Sequence, residues 1–301
     1  MAGQGSQFPG MAQDLYTAED NVRALFDRAE AQRPGTLAMM FDGSAEELKQ
    51  TDNTQPCLFL ADLAAAIALR AHGIVPDAVA GFSLGEIAAL AEANVLDAGD
   101  AFRLVCARGE SMQRAAEKTP GAMLAVLRAE RSAVESMCAE CGVYAVNYNC
   151  PGQIVVAGEI GKIDAMKELL SAKGVRFIPL AVGGAFHTPY MSEASETLRG
   201  ELATMTLHAP AVPLYANRTA QPYPGDAKGQ ISLITAQVAN SVLWEDTIRA
   251  MAADGVEEFI ECGPGKTLAG LVHKTLPEAR VYSVGDVASL SDYLTTLRKA
   301  V

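Results

Sequence analysis

The chain has 301 residues, of which 50% are hydrophobic and 20% charged, so it can bury a full core in one large domain or two unequal ones. Its formal net charge of −12, without clusters of lysine and arginine, excludes nucleic acid as the main partner. The N-terminus is polar and has no pattern of a secretion signal. The longest apolar run, Leu58 to Leu69, is broken by Asp62 and is too short to span a bilayer. Together with six scattered cysteines, these features predict a cytoplasmic protein that is not associated with a membrane.

The first predicted elements surround Gly81-Phe82-Ser83-Leu84-Gly85, which has the G-x-S-x-G pattern of a nucleophile elbow. A helix is predicted from Pro56 to His72, a strand from Asp77 to Ala80 and a second helix from Leu84 to Glu92. In such an elbow the serine lies on a sharp turn from strand to helix, and the flanking glycines avoid a Cβ clash. An ordinary glycine-rich turn between a strand and a helix can have the same sequence pattern. The rest of the chain is therefore needed to distinguish a nucleophile elbow from such a turn. The pattern predicts covalent catalysis by Ser83.

The next predicted helix runs from its N-cap Asp97 to about Lys118 and turns an arginine towards the core. A spacing of 3.6 residues places five residues on one face: Ala101, Leu104, Val105, Arg108 and Met112. A buried guanidinium is costly unless an anion meets it. Arg108 therefore either pairs with a carboxylate of the core or binds a carboxylate of the substrate.

Between Gly121 and Ala181 the hydrophobic pattern changes, and it predicts a small module inserted into the fold. The expected order is strand, helix, strand, strand, helix and strand, over residues 122–127, 130–141, 143–147, 154–157, 162–173 and 176–181. This is the order of a ferredoxin-like unit. Its Cys138-x-x-Cys141 pair lacks a second pair at zinc spacing and is interpreted as two free thiols.

Alternating helices and strands resume after the module and predict a parallel α/β sheet for the bulk of the chain. The expected elements are helix 189–205, strand 212–216, helices around Leu233 and Thr247, strand 256–261, helix 267–276, strand 281–284 and a terminal helix. Ligands bind beyond the carboxyl ends of the strands in such sheets. A cleft between the module and the sheet is therefore the expected site.

A catalytic serine needs a base, and His187 is the candidate among four histidines. It directly precedes a predicted helix that begins with Thr188 as cap and Pro189 as first residue. The positive end of that helix disfavours imidazolium and should keep the ring able to accept the serine proton. The other histidines have structural explanations near helix ends or beside a proline: His72, His208 and His273.

Taken together, the motifs resemble those of the malonyl-CoA:acyl carrier protein transacylase family, in the same order and from Gly3 nearly to the C-terminus. They are GQGSQ at 3–7, GFSLGE at 81–86, LVCARGESMQ around Arg108, AVNYNCPGQIVVAG at 145–158, GAFHTPYM at 184–191 and ECGPGKTLAGL at 261–271. The resemblance implies an α/β-hydrolase-like core formed by residues 1–119 and 185–301, with a ferredoxin-like small subdomain at 120–184. It also implies a monomer that needs no cofactor and no metal.

The resemblance further implies the role of each site residue in moving malonyl from malonyl-CoA to the phosphopantetheine thiol of acyl carrier protein. Ser83 is the expected nucleophile and His187 the general base and acid. Backbone N–H groups of Gln4 and Leu84 are expected to form the oxyanion hole. Arg108 is expected to bind the malonyl carboxylate, and the Ala185-Phe186-His187 context resembles malonyl-selective members. A backbone carbonyl orients the histidine in this family, and the matching position is Leu243.

Two positions depart from the family pattern. Most members have histidine before the nucleophile, where this chain has Phe82. Members also have an apolar strand ahead of the GQGSQ motif, where only Met1-Ala2 stands here. The expected consequence is an unpaired position in the sheet and weak anchoring of Gln4.

Two other functions remain open from the sequence. A serine hydrolase such as a thioesterase would use the same elbow and histidine and pass the acyl group to water. A catalytically silent subunit would only dock the carrier protein. An inward Arg108 favours a carboxylated acyl chain and therefore the transferase.

Overall fold

The computed structural model describes residues 1–300 and shows an α/β protein whose first third is mainly helical. The elements before the inserted module are α1 (Gln13–Ala18), α2 (Asp20–Gln32), α3 (Thr36–Asp42), α4 (Ala45–Leu48), α5 (Thr51–Ala71), β1 (Val79–Ala80), α6 (Gly85–Glu92) and α7 (Ala98–Lys118). The predicted strand and two helices around the elbow are present. Helix α7 also begins as predicted, because the Asp97 side chain accepts a hydrogen bond from the N–H of Gly99 (2.7 Å).

Helices α1 to α4 were not predicted from the sequence, and their ends explain why. Neither Ala12 before α1 nor Glu19 before α2 makes a side-chain cap, and α3 follows a left-handed Gly35. Only α4 has a recognisable capping box, formed by Ser44 and Glu47. The short helices leave little pattern in the sequence without a start signal, whereas α2 has a helical spacing of its buried residues Val22, Leu25, Phe26 and Ala29 that could have predicted it.

Helix α5 is the central core helix and packs along α7. It begins at Thr51, so the prediction of Pro56 as its first residue is wrong. Pro56 lies in the second turn, where the proline removes one helical hydrogen bond, that to the carbonyl of Asp52. Over the described residues, α5 alone is long and apolar enough to cross a membrane, and 83% of its most apolar window is buried inside the protein.

Residues 121–179 form a separate antiparallel sheet with its own core. Its elements follow the order predicted from the sequence: β2 (Gly121–Leu127), α8 (Arg131–Cys141), β3 (Tyr144–Cys150), β4 (Gln153–Glu159), α9 (Ile160–Ala172) and β5 (Arg176–Pro179). The strand order is β3-β4-β2-β5, and every neighbouring pair is antiparallel. Residues such as Leu124, Val134 and Ile163 form a hydrophobic cluster distinct from the main core.

The chain then returns to the main body through a 3₁₀ turn (Pro189–Met191) and alternating elements. These are α10 (Ser192–Leu202), β6 (Leu214–Tyr215), α11 (Ala227–Gln237), α12 (Trp244–Ala253), β7 (Glu258–Cys262), α13 (Thr267–Thr275), β8 (Arg280–Val284) and α14 (Val287–Ala300). The predicted helix 189–205 is therefore shorter than expected and starts with a 3₁₀ turn.

The parallel sheet expected from the sequence is divided into two. Strand β1 pairs with β6 and β7 pairs with β8, both in parallel. Met1 and Ala2 lie between these pairs. The α-amino group of Met1 donates to the carbonyl of Ala80 in β1 (3.0 Å), and the N–H of Ala2 donates to the carbonyl of Cys262 in β7 (3.2 Å). Elsewhere β1 and β7 are separated by a cavity of about 570 Å³. The position expected to be unpaired is thus partly filled, because Met1 and Ala2 bond to both pairs and anchor the loop that carries Gln4.

Candidate active site

Ser83 lies on a strained turn between β1 and α6. Its φ of 55° is in the left-handed region, which non-glycine residues rarely occupy. A Cβ at Gly81 would overlap the backbone of Gly85 and Glu86, and a Cβ at Gly85 would lie 2.5 Å from the carbonyl oxygen of Ala2. Glycine is therefore required on both sides, which distinguishes this turn from an ordinary glycine-rich one.

The structure brings Ser83 and His187 together from distant parts of the chain. The Ser83 Oγ lies 2.7 Å from the His187 Nε2. His187 also has a left-handed backbone, with φ of 62°, and its side chain is buried. The cap predicted at Thr188 is present, since its hydroxyl accepts from the N–H of Tyr190 (3.3 Å). The pair has the geometry of a nucleophile and its base.

The other ring nitrogen of His187 is held by two backbone carbonyls. Its Nδ1 lies 3.0 Å from the oxygen of Gln237 and 3.2 Å from that of Asn240. Both oxygens can only accept, so Nδ1 carries the proton and Nε2 of the neutral ring is left to accept the proton of Ser83.

The prediction that Leu243 orients the histidine is wrong. The Leu243 carbonyl accepts from the N–H and the hydroxyl of Thr247 (2.9 and 2.8 Å) because Leu243 is the N-cap of α12. Gln237 is the last residue of α11, and carbonyl groups at a helix C-terminus lack their usual helical donors. The His187 ring therefore meets the C-terminal end of α11 and not the start of α12.

His187 is kept neutral mainly by burial. Burial and the nearby positive charge of Arg108 lower the pKa of His187 to about 4, while its contacts with the two carbonyls act in the opposite direction. The helix predicted after His187 is present, because the 3₁₀ turn Pro189–Met191 continues directly into α10 (Ser192–Leu202), but burial is the largest cause of the lowered pKa. The ring is thus unprotonated at neutral pH and can act as a base.

Arg108 is fully buried and points at the nucleophile. Its Nη2 donates to the Ser83 Oγ (3.1 Å) and to the Gln237 Oε1 (2.9 Å), while its Nη1 donates to the Gln55 Oε1 (2.7 Å). Its Nε has no acceptor, and within residues 1–300 no carboxylate forms a salt bridge with it. Burial lowers the pKa of Arg108 to about 10, so the group stays charged at neutral pH. The alternative of an ion pair within the core is therefore wrong, and a cation without a contacting anion faces the site.

Of the two predicted oxyanion donors, Leu84 lies in the elbow itself and Gln4 in a loop close to it. Leu84 directly precedes α6, and Gln4 lies in the loop that follows Met1 and Ala2. Neither N–H has a hydrogen-bond acceptor anywhere in the described chain. The Gln4 loop passes close to the elbow, since a Cβ at Gly3 would lie 2.8 Å from the ring of Phe82. Both groups are free to bind an oxyanion.

Phe82 replaces the expected histidine with an aromatic contact. Its ring packs edge-to-face against Trp244, with ring centroids 5.4 Å apart. The substitution removes none of the polar contacts of Ser83 described above.

A second cavity, of about 430 Å³, lies beside the site. Gln4 and Phe186 line it, together with residues at the start of α5, on α7 and in the 181–184 loop. It lies between the inserted unit and helices α5 and α7, and its lining does not include Ser83, His187 or Arg108, so the expectation of a binding cleft at this junction stays a prediction. In the part of the chain that the structure describes, no group of three or more histidine, cysteine or acidic side chains is arranged to hold a metal ion.

Comparisons with known proteins agree with this site. The profile of the family described as acyl transferase domain matches residues 1–295. The malonyl CoA-acyl carrier protein transacylase of Bacillus subtilis is 37% identical over 99% of this chain and 96% of that protein. The crystal structure of the transacylase of the same name from Clostridium perfringens has a TM-score of 0.94 at 32% identity, covering 99% of this chain and 96% of that one. A further structure, of a malonyl-transacylase in complex with a type II polyketide synthase acyl carrier protein, has a TM-score of 0.93 at 33% identity, covering 98% and 97%. The chain therefore belongs to the acyl transferase domain family, among its malonyl CoA-acyl carrier protein transacylases.

Proposed function

We propose that this protein transfers a malonyl group from malonyl-CoA to the phosphopantetheine thiol of acyl carrier protein, through a malonyl ester of Ser83. The observation that carries the proposal is that the Ser83 Oγ contacts both the His187 Nε2 and the Arg108 Nη2. A base and a cation thus meet at one nucleophile, as a thioester with a free carboxylate requires.

In the first half-reaction the Ser83 hydroxyl gives its proton to the His187 Nε2 as its oxygen attacks the thioester carbonyl. The free N–H groups of Gln4 and Leu84 stabilise the resulting oxyanion, a contribution worth about 3 kcal/mol per donor in other enzymes. When the carbon–sulfur bond breaks, His187 returns the proton to the departing coenzyme A thiolate. Malonyl then remains as an ester on Ser83.

The second half-reaction runs the same steps with another thiol. The carrier's phosphopantetheine thiol gives its proton to His187 and attacks the ester carbonyl. The same donors hold the oxyanion, the carbon–oxygen bond breaks, and the proton passes from His187 to the Ser83 oxygen. The enzyme is then restored and malonyl is a thioester of the carrier.

Arg108 provides the preference for malonyl. Its buried guanidinium has no contacting carboxylate and has one unpartnered N–H, so a substrate carboxylate would meet a charge that only the more distant Glu86 offsets. A charge-assisted hydrogen bond contributes about 1.5–3 kcal/mol, which corresponds to a preference over acetyl of about one to two orders of magnitude.

We also propose the finer assignment of the fold. Residues 120–184 form a ferredoxin-like subdomain, supported by the strand order β3-β4-β2-β5 and the separate core of this unit. Residues 1–119 and 185–301 form an α/β-hydrolase-like core, supported by the elbow between β1 and α6. Val301 lies outside the described residues.

We further propose that the protein acts as a monomer in the cytoplasm and needs no cofactor. The cytoplasmic location is supported by six cysteines that are all unpaired.

Mass spectrometry after mixing the protein with malonyl-CoA tests the proposal. Wild type should gain the mass of one malonyl group, and Ser83→Ala should gain none. Addition of phosphopantetheinylated carrier protein should then move the malonyl group to the carrier. Rapid hydrolysis that the carrier does not change would show a thioesterase, and no added mass in wild type would show a catalytically silent protein.

A further inference from the structure

A buried carboxylate lies behind the nucleophile and takes no part in the steps above. Glu86, in the first turn of α6, is 2% exposed and forms no salt bridge within the described chain. Its Oε2 accepts from the backbone N–H of Asn217 (3.0 Å) and from the Gln237 Nε2 (3.2 Å), and its Oε1 accepts from the hydroxyl of Tyr223. A buried charge is expensive, and all three of its partners are neutral donors.

The Gln237 side chain connects this carboxylate to the arginine of the site. Its Nε2 donates to Glu86 and to the carbonyl of Ser83 (2.6 Å), while its Oε1 accepts from the Arg108 Nη2 (2.9 Å). An amide has one donating and one accepting end. The carboxylate and the Ser83 carbonyl together hold the nitrogen end of Gln237, which leaves its oxygen facing Arg108, whereas the reverse orientation would set two donors against each other at the guanidinium.

Asn217 connects the same carboxylate to the elbow. Its N–H is held by Glu86, its Nδ2 donates to the carbonyl of Gly81 (2.6 Å), and its Oδ1 accepts from the N–H of Ser83 (2.7 Å). These bonds span both sides of the left-handed residue 83. They hold a backbone conformation that is unfavourable by itself.

We propose that Glu86 is a positioning residue for the acyl transfer: through Gln237 it orients the Arg108 guanidinium, and through Asn217 and Gln237 it fixes the strained backbone of Ser83. The inference rests on the proposed function, in which Arg108 binds the malonyl carboxylate. Glu86 touches neither substrate nor reacting atoms, so its effect passes through its neighbours.

The charge of Glu86 makes this arrangement dependent on pH. Burial raises the pKa of Glu86 to about 7, although its hydrogen bonds with Tyr223, Asn217 and Gln237 and the charge of Arg108 act in the opposite direction. Of the other ionisable groups around it, Tyr223 and Arg108 keep their protons and His187 is neutral near pH 7. Glu86 is therefore the group that changes charge there.

Protonation of Glu86 disturbs the orientation of Gln237. A carboxylic acid presents a donor where two donors now converge, so Gln237 loses the acceptor at Glu86, keeps the one at the Ser83 carbonyl, and is held less firmly with its oxygen towards Arg108. Malonyl preference should consequently fall as the pH drops below about 7. Glu86→Gln places a permanent donor at this position and should have the same effect at every pH.

The chain offers two matched variants. Tyr223→Phe removes one neutral hydrogen bond that lowers the pKa of Glu86, so the pH at which preference is lost should rise while preference at high pH is kept. Glu92→Gln makes the same substitution on the same helix, where Glu92 pairs with Arg70 (2.6 Å) away from the site, and should resemble wild type.

The test is kcat/KM for malonyl-CoA and acetyl-CoA with phosphopantetheinylated carrier protein, between about pH 6 and pH 9. In wild type the malonyl-to-acetyl ratio should rise through about pH 7. In Glu86→Gln the ratio should be at least about tenfold lower and independent of pH. A merely structural residue would reduce both substrates equally, with the ratio and its pH dependence unchanged.

The outcomes separate this inference from the proposed function. If wild type transfers malonyl but Glu86→Gln keeps the wild-type ratio, the inference alone is overturned. If Glu86→Gln does not fold, as judged by its thermal melt, the Tyr223→Phe variant is used instead. A malonyl-to-acetyl ratio that changes at the same pH in Tyr223→Phe as in wild type then overturns the inference. If wild type forms no malonyl ester at Ser83, both the function and the inference fail.

Discussion

Replacement of Arg108 by methionine should convert the enzyme from malonyl selectivity towards acetyl. Methionine keeps an unbranched apolar chain in the buried position and removes the charge that has no contacting carboxylate. Loss of a charge-assisted hydrogen bond of about 1.5–3 kcal/mol lowers kcat/KM for malonyl-CoA by about 10- to 150-fold. Acetyl-CoA has no carboxylate to lose, so its kcat/KM should stay constant or rise.

The same substitution should cost little stability. It leaves the Gln55 and Gln237 side-chain oxygens without the guanidinium donor, which lowers the free energy of unfolding by about 1–3 kcal/mol for each unsatisfied group. It also removes a poorly neutralised buried charge, which acts in the opposite direction. The net change in the free energy of unfolding should be within about 2 kcal/mol.

Paired assays of malonyl and acetyl transfer measure the change in selectivity, and urea denaturation confirms folding. Arg108→Lys is the control: it keeps a charge but not the planar fork, and should retain part of the preference. An unchanged malonyl-to-acetyl ratio in Arg108→Met would refute the role of the guanidinium.

Three further predictions concern the same site. Gln55→Glu should lower kcat/KM for malonyl-CoA by about tenfold or more in the transfer assay with little effect on acetyl-CoA, because a carboxylate in contact with Arg108 would compete with the substrate; equal losses would contradict this. Between pH 6.5 and about 4 the unfolded chain binds a proton at His187 that the folded chain does not, whereas Glu86 and Asp62, whose pKa values are raised by burial, act in the opposite direction. The His187 contribution is therefore measured as a difference: in urea denaturation, the stability of wild type relative to His187→Gln should fall as the pH drops through this range, and a constant difference would contradict it. Gly81→Ala should abolish malonyl-enzyme formation in the mass-spectrometric assay, whereas Gly161→Ala, where a Cβ meets nothing within 4 Å, should not; an active Gly81→Ala would show that the turn can relax.

The sequence predicted those parts of the site that depend on local geometry. The elbow glycines are needed because β1 and α6 approach within one turn, so a five-residue pattern carries the information. The inward direction of Arg108 follows from helix periodicity alone, and the module at 121–179 is visible because its pattern changes where the chain leaves the main core. Each of these signals lies within a short window of sequence.

The parts that were missed depend on contacts between distant residues. Nothing near Gln55 or Gln237 indicates that their side chains meet Arg108, because they come from α5 and α11 and converge only in the folded chain. The hydrogen bonds by which Met1 and Ala2 join β1 and β7 likewise connect distant residues, and no local pattern in the sequence reports them. Local propensity identified these elements but not their partners.

The misassigned carbonyl at Leu243 shows how such contacts change the chemistry. A helix N-cap carbonyl already serves its own helix, whereas the Gln237 carbonyl at the end of α11 receives one long backbone hydrogen bond, from the N–H of Asn240 (3.3 Å), and lies at the negative end of a helix dipole. His187 is neutral at rest because it is buried near Arg108, but it becomes positive each time it takes a proton from Ser83 or from the carrier thiol. The end of α11 is suited to stabilise that transient charge. The residue that closes α11, Gln237, also holds Arg108 with its side chain, so one helix end positions both the base and the cation.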